Sequence, residues 1–300
     1  MSASLLFSGC ATALVTPFHP DGSLDEDAFI RLLLMQLSAG IDALVVLGTT
    51  GEPSTLSMRE RERIITSAVT CAEGRVPVIV GTGSNDTRKA IEYARQAADL
   101  GAQGQLCVTP YYNKTTQTGL IRHFEAVLDS CRLPMILYNV PSRTGMSISE
   151  DTAAALSRHP QVAGIKEASG DPAYTLHVLQ KTHGELAVYS GNDDIIVPLM
   201  ACGAKGAISV CSNILPAQTR AMTHACLSGC FDEAQQAQCA LTPLIRALFA
   251  QVNPIPVKAA LSMMGLMEET LRLPLTPLEE PYRAALKALL IRSGLAAESE

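Results

Sequence analysis

Tryptophan is absent from this 300-residue chain, and aromatic residues make up only 4% of it. So few flat rings exclude the stacking platforms that bind single-stranded nucleic acid or sugar polymers. A basic excess is also missing. Lys plus Arg number 23 against 29 Asp plus Glu, a net charge of −6, so neither nucleic acid nor an anionic membrane is an electrostatic partner. No apolar run approaches the roughly 18–20 residues that would cross a bilayer. No Lys or Arg precedes Arg31, so Phe7-Ser8-Gly9-Cys10 lacks the charged start of a signal peptide and reads as the entry to a strand. The nine cysteines contain no CxxC pair, and the six histidines no HExxH. His224, Cys226 and Cys230 come nearest to a ligand spacing, but cysteine on an apolar helix is ordinarily a small hydrophobe. No metal, reduced thiols and a cytoplasmic setting are therefore expected.

What the chain does have is apolar mass. Hydrophobic residues make up 47% and charged residues 17%, enough for a large core, and the expected partner is a small molecule. Short Val/Ile/Leu-rich runs occur at 10–18, 43–48, 76–81, 105–109, 134–139, 162–166, 186–190 and 207–210, with starts 21–33 residues apart. That interval accommodates one helix and two loops, the βαβ unit, and unbroken apolar runs suit strands buried on both faces. Helical patterning fills the gaps at 25–38, 57–71, 85–100 and 116–131. Ser57 and Glu60 have capping-box spacing, and the alternating charges from Arg59 to Arg63 read as a solvated face. An open doubly wound sheet would need a dinucleotide fingerprint, yet Gly81-Thr82-Gly83-Ser84-Asn85-Asp86 lacks the third glycine. The pattern predicts an α/β fold, a (β/α)8 TIM barrel, over 1–225. A C-terminal helical appendix follows over 226–300, with helices at 217–226, 232–251, 257–264 and 279–293.

In such barrels the reactive groups stand at the C-terminal ends of the strands. Polar residues gather there: Ser190-Gly191-Asn192-Asp193 ends the seventh run, and four other segments carry the rest, Gly48-Thr49-Thr50-Gly51-Glu52, Thr109-Pro110-Tyr111-Tyr112-Asn113, Tyr138 to Gly145, and Gly164-Ile165-Lys166-Glu167. Lys166 is the most informative. A lysine in an apolar strand is costly unless paired or neutral, and desolvation favours the neutral amine that forms a Schiff base. The bland reading is a stem that packs and a head that snorkels to an ion pair; strand position alone weighs the two evenly. Glu167 should point to the opposite face, while Gly164, on the lysine's own face, is expected to leave space above the core. Lys205 and Lys258 are expected in a loop and an outer helix. Tyr138 could donate its phenolic proton to a developing alkoxide, or be a satisfied core tyrosine. Thr49 and Thr50 sit in a Gly-bounded turn whose backbone N–H groups suit a carboxylate, the bland reading being simply a tight turn. Arg143, after a proline-set turn, could bind a second carboxylate bidentately, though an exposed loop arginine alone means little.

Five segments in register, those four and Asn253-Pro254-Ile255-Pro256-Val257-Lys258, resemble the dihydrodipicolinate synthase family of class I pyruvate aldolases, from about Gly9 to Leu295. The resemblance implies a lyase that condenses pyruvate with L-aspartate 4-semialdehyde in lysine and diaminopimelate biosynthesis. It makes Lys166 the Schiff-base lysine and Tyr138 the acid–base residue, with Thr49 and Tyr112 completing a proton relay. Thr50 and the backbone at Ile208 would hold pyruvate, and Arg143 the carboxylate of the aldehyde. It implies no cofactor and a homotetramer of tight dimers, in which Tyr112 enters a neighbouring subunit's site. Within the superfamily a sugar-acid aldolase would share Lys166, Tyr138 and both threonines, but Arg143 and Tyr111–Tyr112 favour a short acidic aldehyde. A non-catalytic keto-acid-binding regulator is expected to have lost Lys166 or Tyr138, and both are present. Many relatives bind lysine as a feedback inhibitor. Here Asn85 and Tyr111 remain at that pocket, but Lys89 stands for a glutamate, Met58 and Arg61 for histidines, and Pro53 for a small hydroxyl residue. Insensitivity to lysine is expected.

Overall fold

Each of the eight apolar runs overlaps a strand. The computed structural model describes residues 5–297. Within it lie β1 (Gly9–Ala13), β2 (Ala43–Val46), β3 (Val78–Gly81), β4 (Gly104–Val108), β5 (Met135–Asn139), β6 (Val162–Glu167), β7 (Val188–Ser190) and β8 (Gly206–Ser209). They pair in parallel in chain order and close, with Gly9 to Thr12 of β1 in register with Gly206 to Ser209 of β8. β1 ends at Ala13 rather than at residue 18. Pro17 has no N–H for a ladder, and Phe18 instead bridges antiparallel to Leu24 beside the barrel mouth.

The barrel interior explains the small residues of the strands. Ala11, Ala13, Ala43 and Ala187 leave room for Tyr138, Tyr189 and Ile208 in one buried cluster. Phe7, just before β1, stacks on Tyr189 at 4.3 Å between centroids, and its carbonyl accepts from the Tyr189 hydroxyl at 2.8 Å. That pair plugs the end opposite the strand C-termini.

Helices α1 (Glu26–Ser38), α2 (Met58–Ala72), α3 (Thr87–Asp99) and α4 (Gln117–Leu128) follow the first four strands. After β5 come α5 (Pro141–Thr144) and α6 (Glu150–Leu156), then α7 (Pro172–Lys181), α8 (Ile196–Ala201) and α9 (Pro216–Leu227) after the last three strands. The expected capping box opens α2, with the Ser57 and Glu60 side chains each taking the other's backbone N–H. The charged run on this helix is not uniformly solvated. Arg61 is buried, donates to the Gly81 carbonyl at 2.8 Å and lies 3.8 Å from the centroid of the Tyr93 ring. Desolvation lowers its pKa to about 10, which still leaves it charged. Its companion Glu60 is bound by Arg272, which holds that carboxyl at about 2.

Three further helices follow among the described residues, α10 (Phe231–Leu248), α11 (Ile255–Met263) and α12 (Tyr282–Arg292). Leu241, Leu244, Leu286 and Leu290 from α10 and α12 share one apolar cluster with Ile165 and Val188 of the barrel strands. Residue 225 lies inside α9, so the helix runs through the expected boundary between barrel and appendix. Among the described residues no helix is long and apolar enough to cross a membrane, and no cluster of His, Cys, Asp or Glu could hold a metal. His224 lies 2.9 Å from an Asp42 carboxylate oxygen, Cys226 is buried and Cys230 exposed; all nine thiols are free.

Candidate active site

Parallel pairing of β5 and β6 sets Tyr138 directly beside Lys166. Both are buried, and the Lys166 Nζ lies 4.6 Å from the centre of the tyrosine ring. Gly164 does not make room for the lysine. A Cβ there would come within 2.7 Å of the Ala187 carbonyl and 3.0 Å of the Tyr189 ring, so Gly164 is a close approach and leaves no open space. Gly191, beyond β7, is a close approach to the lysine's own strand end, since a Cβ there would lie 2.6 Å from the Ala168 Cβ and 3.0 Å from both the Glu167 carbonyl and the Lys166 Cε. Glu167 points away as the alternation of a strand requires, accepting from Asn139 Nδ2 at 2.7 Å and from the Ser169 backbone.

A cavity of about 430 Å³ opens at the C-terminal ends of the strands, and Thr49, Tyr138, Arg143 and Asn253 are among its walls. Lys166 lies against Tyr138 rather than in the cavity wall. Ile208 sits in the interior cluster with Tyr138. Tyr112 is not brought in. It follows β4 with a left-handed φ of 68° and stands 93% exposed.

The turn after β2 is a 3-10 segment, Thr49–Gly51, and it is held from several sides. The Thr16 hydroxyl donates to the Gly51 carbonyl at 2.8 Å, and Asn253 Nδ2 donates to the Thr50 hydroxyl oxygen at 3.0 Å. The next residue, Glu52, adopts a left-handed φ of 52°, a conformation that a non-glycine residue keeps only under restraint. Lys258 Nζ supplies that restraint, 2.6 Å from Glu52 Oε1 and 2.9 Å from the Thr16 carbonyl, while the Arg272 backbone N–H reaches Glu52 Oε2 at 3.1 Å. Lys258 is thus on a helix, as expected, but not on an outer face. It is wholly buried, and desolvation lowers its pKa against the opposing pull of Glu52. The same C-terminal stretch steadies Arg143, whose Nη2 donates to the Asn253 carbonyl at 3.0 Å.

Asp193, which closes the Ser190-Gly191-Asn192-Asp193 segment at the end of β7, has no role legible from residue type or spacing. Its buried carboxylate accepts from the backbone N–H groups of Val210 and Cys211 at 2.9 and 2.8 Å and so fixes the exit of β8. Burial raises its pKa, opposed first by the Ser209 side chain, then by those backbone hydrogen bonds and by nearby Lys166. Asn253 and Lys258 lie in a motif quoted for the resemblance, but nothing local marks either as reaching the turn after β2.

A lysine and a tyrosine at adjacent strand ends, beside a cavity with a threonine-bearing turn and an arginine at its mouth, suit iminium chemistry on a small keto acid. Comparison with known proteins agrees with this geometry. Residues 6–292 match the model of the dihydrodipicolinate synthetase family. The 4-hydroxy-tetrahydrodipicolinate synthase of Alkaliphilus oremlandii (strain OhILAs) is 51% identical over 281 residues, 94% of this chain and 97% of that protein. The crystal structure of the chloride-inhibited dihydrodipicolinate synthase from Acinetobacter baumannii complexed with pyruvate superposes with a TM-score of 0.94 at 43% identity, covering 96% of this chain and 99% of that one. A lysine-bound structure of the enzyme from Cyanidioschyzon merolae gives a TM-score of 0.94 at 36% identity, over 97% and 100% of the two chains. Since the match runs through every strand and every segment that walls the cavity, the chain belongs to the dihydrodipicolinate synthetase family.

Proposed function

We propose that Lys166 forms the Schiff base with pyruvate and that Tyr138 moves the protons of a condensation with L-aspartate 4-semialdehyde. The protein is a lyase of that kind, making 4-hydroxy-tetrahydrodipicolinate. The observation that carries the residue assignment is the buried Lys166 amine 4.6 Å from the centre of the Tyr138 ring. The Lys166 amine attacks the ketone, and the Tyr138 phenol protonates the oxygen that leaves as water. The iminium then draws electrons from the methyl group, which loses a proton to give an enamine. That carbon attacks the aldehyde, and the substrate's own amine closes the ring, displacing Lys166 by transimination. Thr50 and the backbone at Ile208 hold the pyruvate end, and Arg143 the carboxylate of the aldehyde.

Thr49 and Tyr112 complete the proton relay, Tyr112 from a neighbouring subunit of a homotetramer. The exposure and left-handed backbone of Tyr112 support this, since a bulky ring is held there at a cost of about 1–2 kcal/mol and needs a receiving surface. The C-terminal region expected over 226–300 acts, through Asn253, Lys258 and Arg272, as the brace of the catalytic turn. The nine free thiols favour a reducing, cytoplasmic setting.

Coupled turnover with pyruvate and L-aspartate 4-semialdehyde tests the activity; turnover of N-acetylneuraminate or a 2-keto-3-deoxy acid in its place would overturn the reading. Arg143→Ala separates the half-reactions. Loss of a charge-assisted carboxylate contact costs about 1.5–3 kcal/mol, one to two decades in kcat/KM for the aldehyde, with imine formation from pyruvate nearly unchanged. Equal loss in both would make Arg143 structural.

Lysine feedback is absent in this reading. The Arg61 guanidinium and the Lys89 ammonium lie 3.8 and 5.3 Å from the centroid of one ring, Tyr93, where an incoming ammonium would meet two cations. L-lysine titrated into the coupled assay should leave activity unchanged through about 1 mM, a binding free energy near −4 kcal/mol. Half-inhibition below that concentration would contradict it.

A further inference from the structure

Asn253 touches both halves of the site at once. Its side-chain amide donates to the Thr50 hydroxyl oxygen at 3.0 Å, and its carbonyl accepts from Arg143 Nη2 at 3.0 Å. The residue is buried in the cavity wall, and its Oδ1 has no hydrogen-bond partner. An apolar side chain of similar volume would avoid burying that oxygen unpaired, so packing alone does not account for an amide here.

We propose that Asn253 is a positioning residue for pyruvate, acting through Thr50; the inference rests on the reading of Thr50 and Arg143 above. A hydroxyl carries one proton and two lone pairs. Because Asn253 donates into a lone pair of Thr50, the threonine proton is left to donate elsewhere, and a carboxylate, which only accepts, is the partner it suits. The amide therefore sets the polarity of Thr50. The Asn253 carbonyl independently steadies Arg143, so one residue keeps the two carboxylate subsites in fixed relation. Pyruvate has no donor of its own, so a reversed Thr50 could not hold it.

The test is steady-state kinetics on Thr50→Val, Asn253→Ala, Asn253→Asp and the double variant Thr50→Val with Asn253→Ala, with thermal denaturation of each. Asn253→Ala should raise the pyruvate KM roughly tenfold and move kcat and the aldehyde KM by less than about twofold, since the backbone carbonyl under Arg143 survives. Asn253→Asp, nearly isosteric, should do worse, because an acceptor-only side chain turns the Thr50 proton toward itself and adds a charge that repels pyruvate. The double variant should bind pyruvate no worse than Thr50→Val alone. Penalties that multiply, or a parallel loss in kcat and both KM values, would overturn the proposal. If Thr50→Val raises the pyruvate KM and Asn253→Ala does not, Asn253 alone loses its role. If Thr50→Val leaves it unchanged, the assignment of Thr50 falls and this inference with it.

Discussion

Lys166→Ala eliminates the adduct that borohydride traps with pyruvate and lowers kcat by on the order of a thousandfold or more, the scale of losing a covalent nucleophile. Seven lysines are present, and five lie at helices or loops of the surface. The informative control is Lys258, the other buried one. Its ammonium is engaged by Glu52 at 2.6 Å and by the Thr16 carbonyl at 2.9 Å, so it has no free lone pair with which to attack a ketone. Mass mapping of the reduced protein should therefore place the pyruvate increment on the peptide bearing Lys166 and leave Lys258 unmodified. An adduct on Lys258, or one that persists in Lys166→Ala, refutes the site.

Lys258→Met has the second large effect, on stability. It strands the Glu52 carboxylate, which is 1% exposed, without its counter-ion. Removing one partner of a buried pair costs about 3–5 kcal/mol, because the remaining charge cannot be solvated. For a chain of this size that corresponds to a fall of roughly 10 °C in Tm. Glu52→Gln should cost a comparable amount by stranding the ammonium, whereas combining Lys258→Met with Glu52→Gln should recover much of the loss, since neither charge is then left alone. Thermal denaturation of the three variants decides it. Single variants within about 1 kcal/mol of the parent would mean that water reaches the pair and that it does not brace the turn.

The strands are legible in the chain because each is buried on both faces, so apolar content itself marks them, and short loops place each next to its sequence neighbour. Lys166 stood out for the same reason: a charge in an apolar run is conspicuous. Tyr138 followed from register, since parallel neighbours at strand ends lie side by side. The error at Gly164 came from the other direction. A missing side chain signals either open space or a close neighbour, and only the positions of the Ala187 carbonyl and Tyr189 across β7 tell which. The solvated reading of Arg59 to Arg63 failed at Arg61, because alternating charge does not disclose an aromatic ring on the next helix.

Local pattern thus carried the barrel, its capping signals and the lysine at the end of β6. These depend on hydrophobic periodicity and on residues a few positions apart, information that survives in one dimension. The brace of the site did not. Glu52 and Lys258 are 206 positions apart, Thr50 and Asn253 are 203, and Arg143 and Asn253 are 110. No propensity of either partner foretells such a contact; it exists only because the C-terminal helices pack back against the barrel and bring α11 to the turn after β2. Whether a buried charge is a catalyst or a strut is set by its partners across that packing. Lys258 is tied to Glu52 and Thr16, and Lys166 lies against the face of a tyrosine beside a cavity.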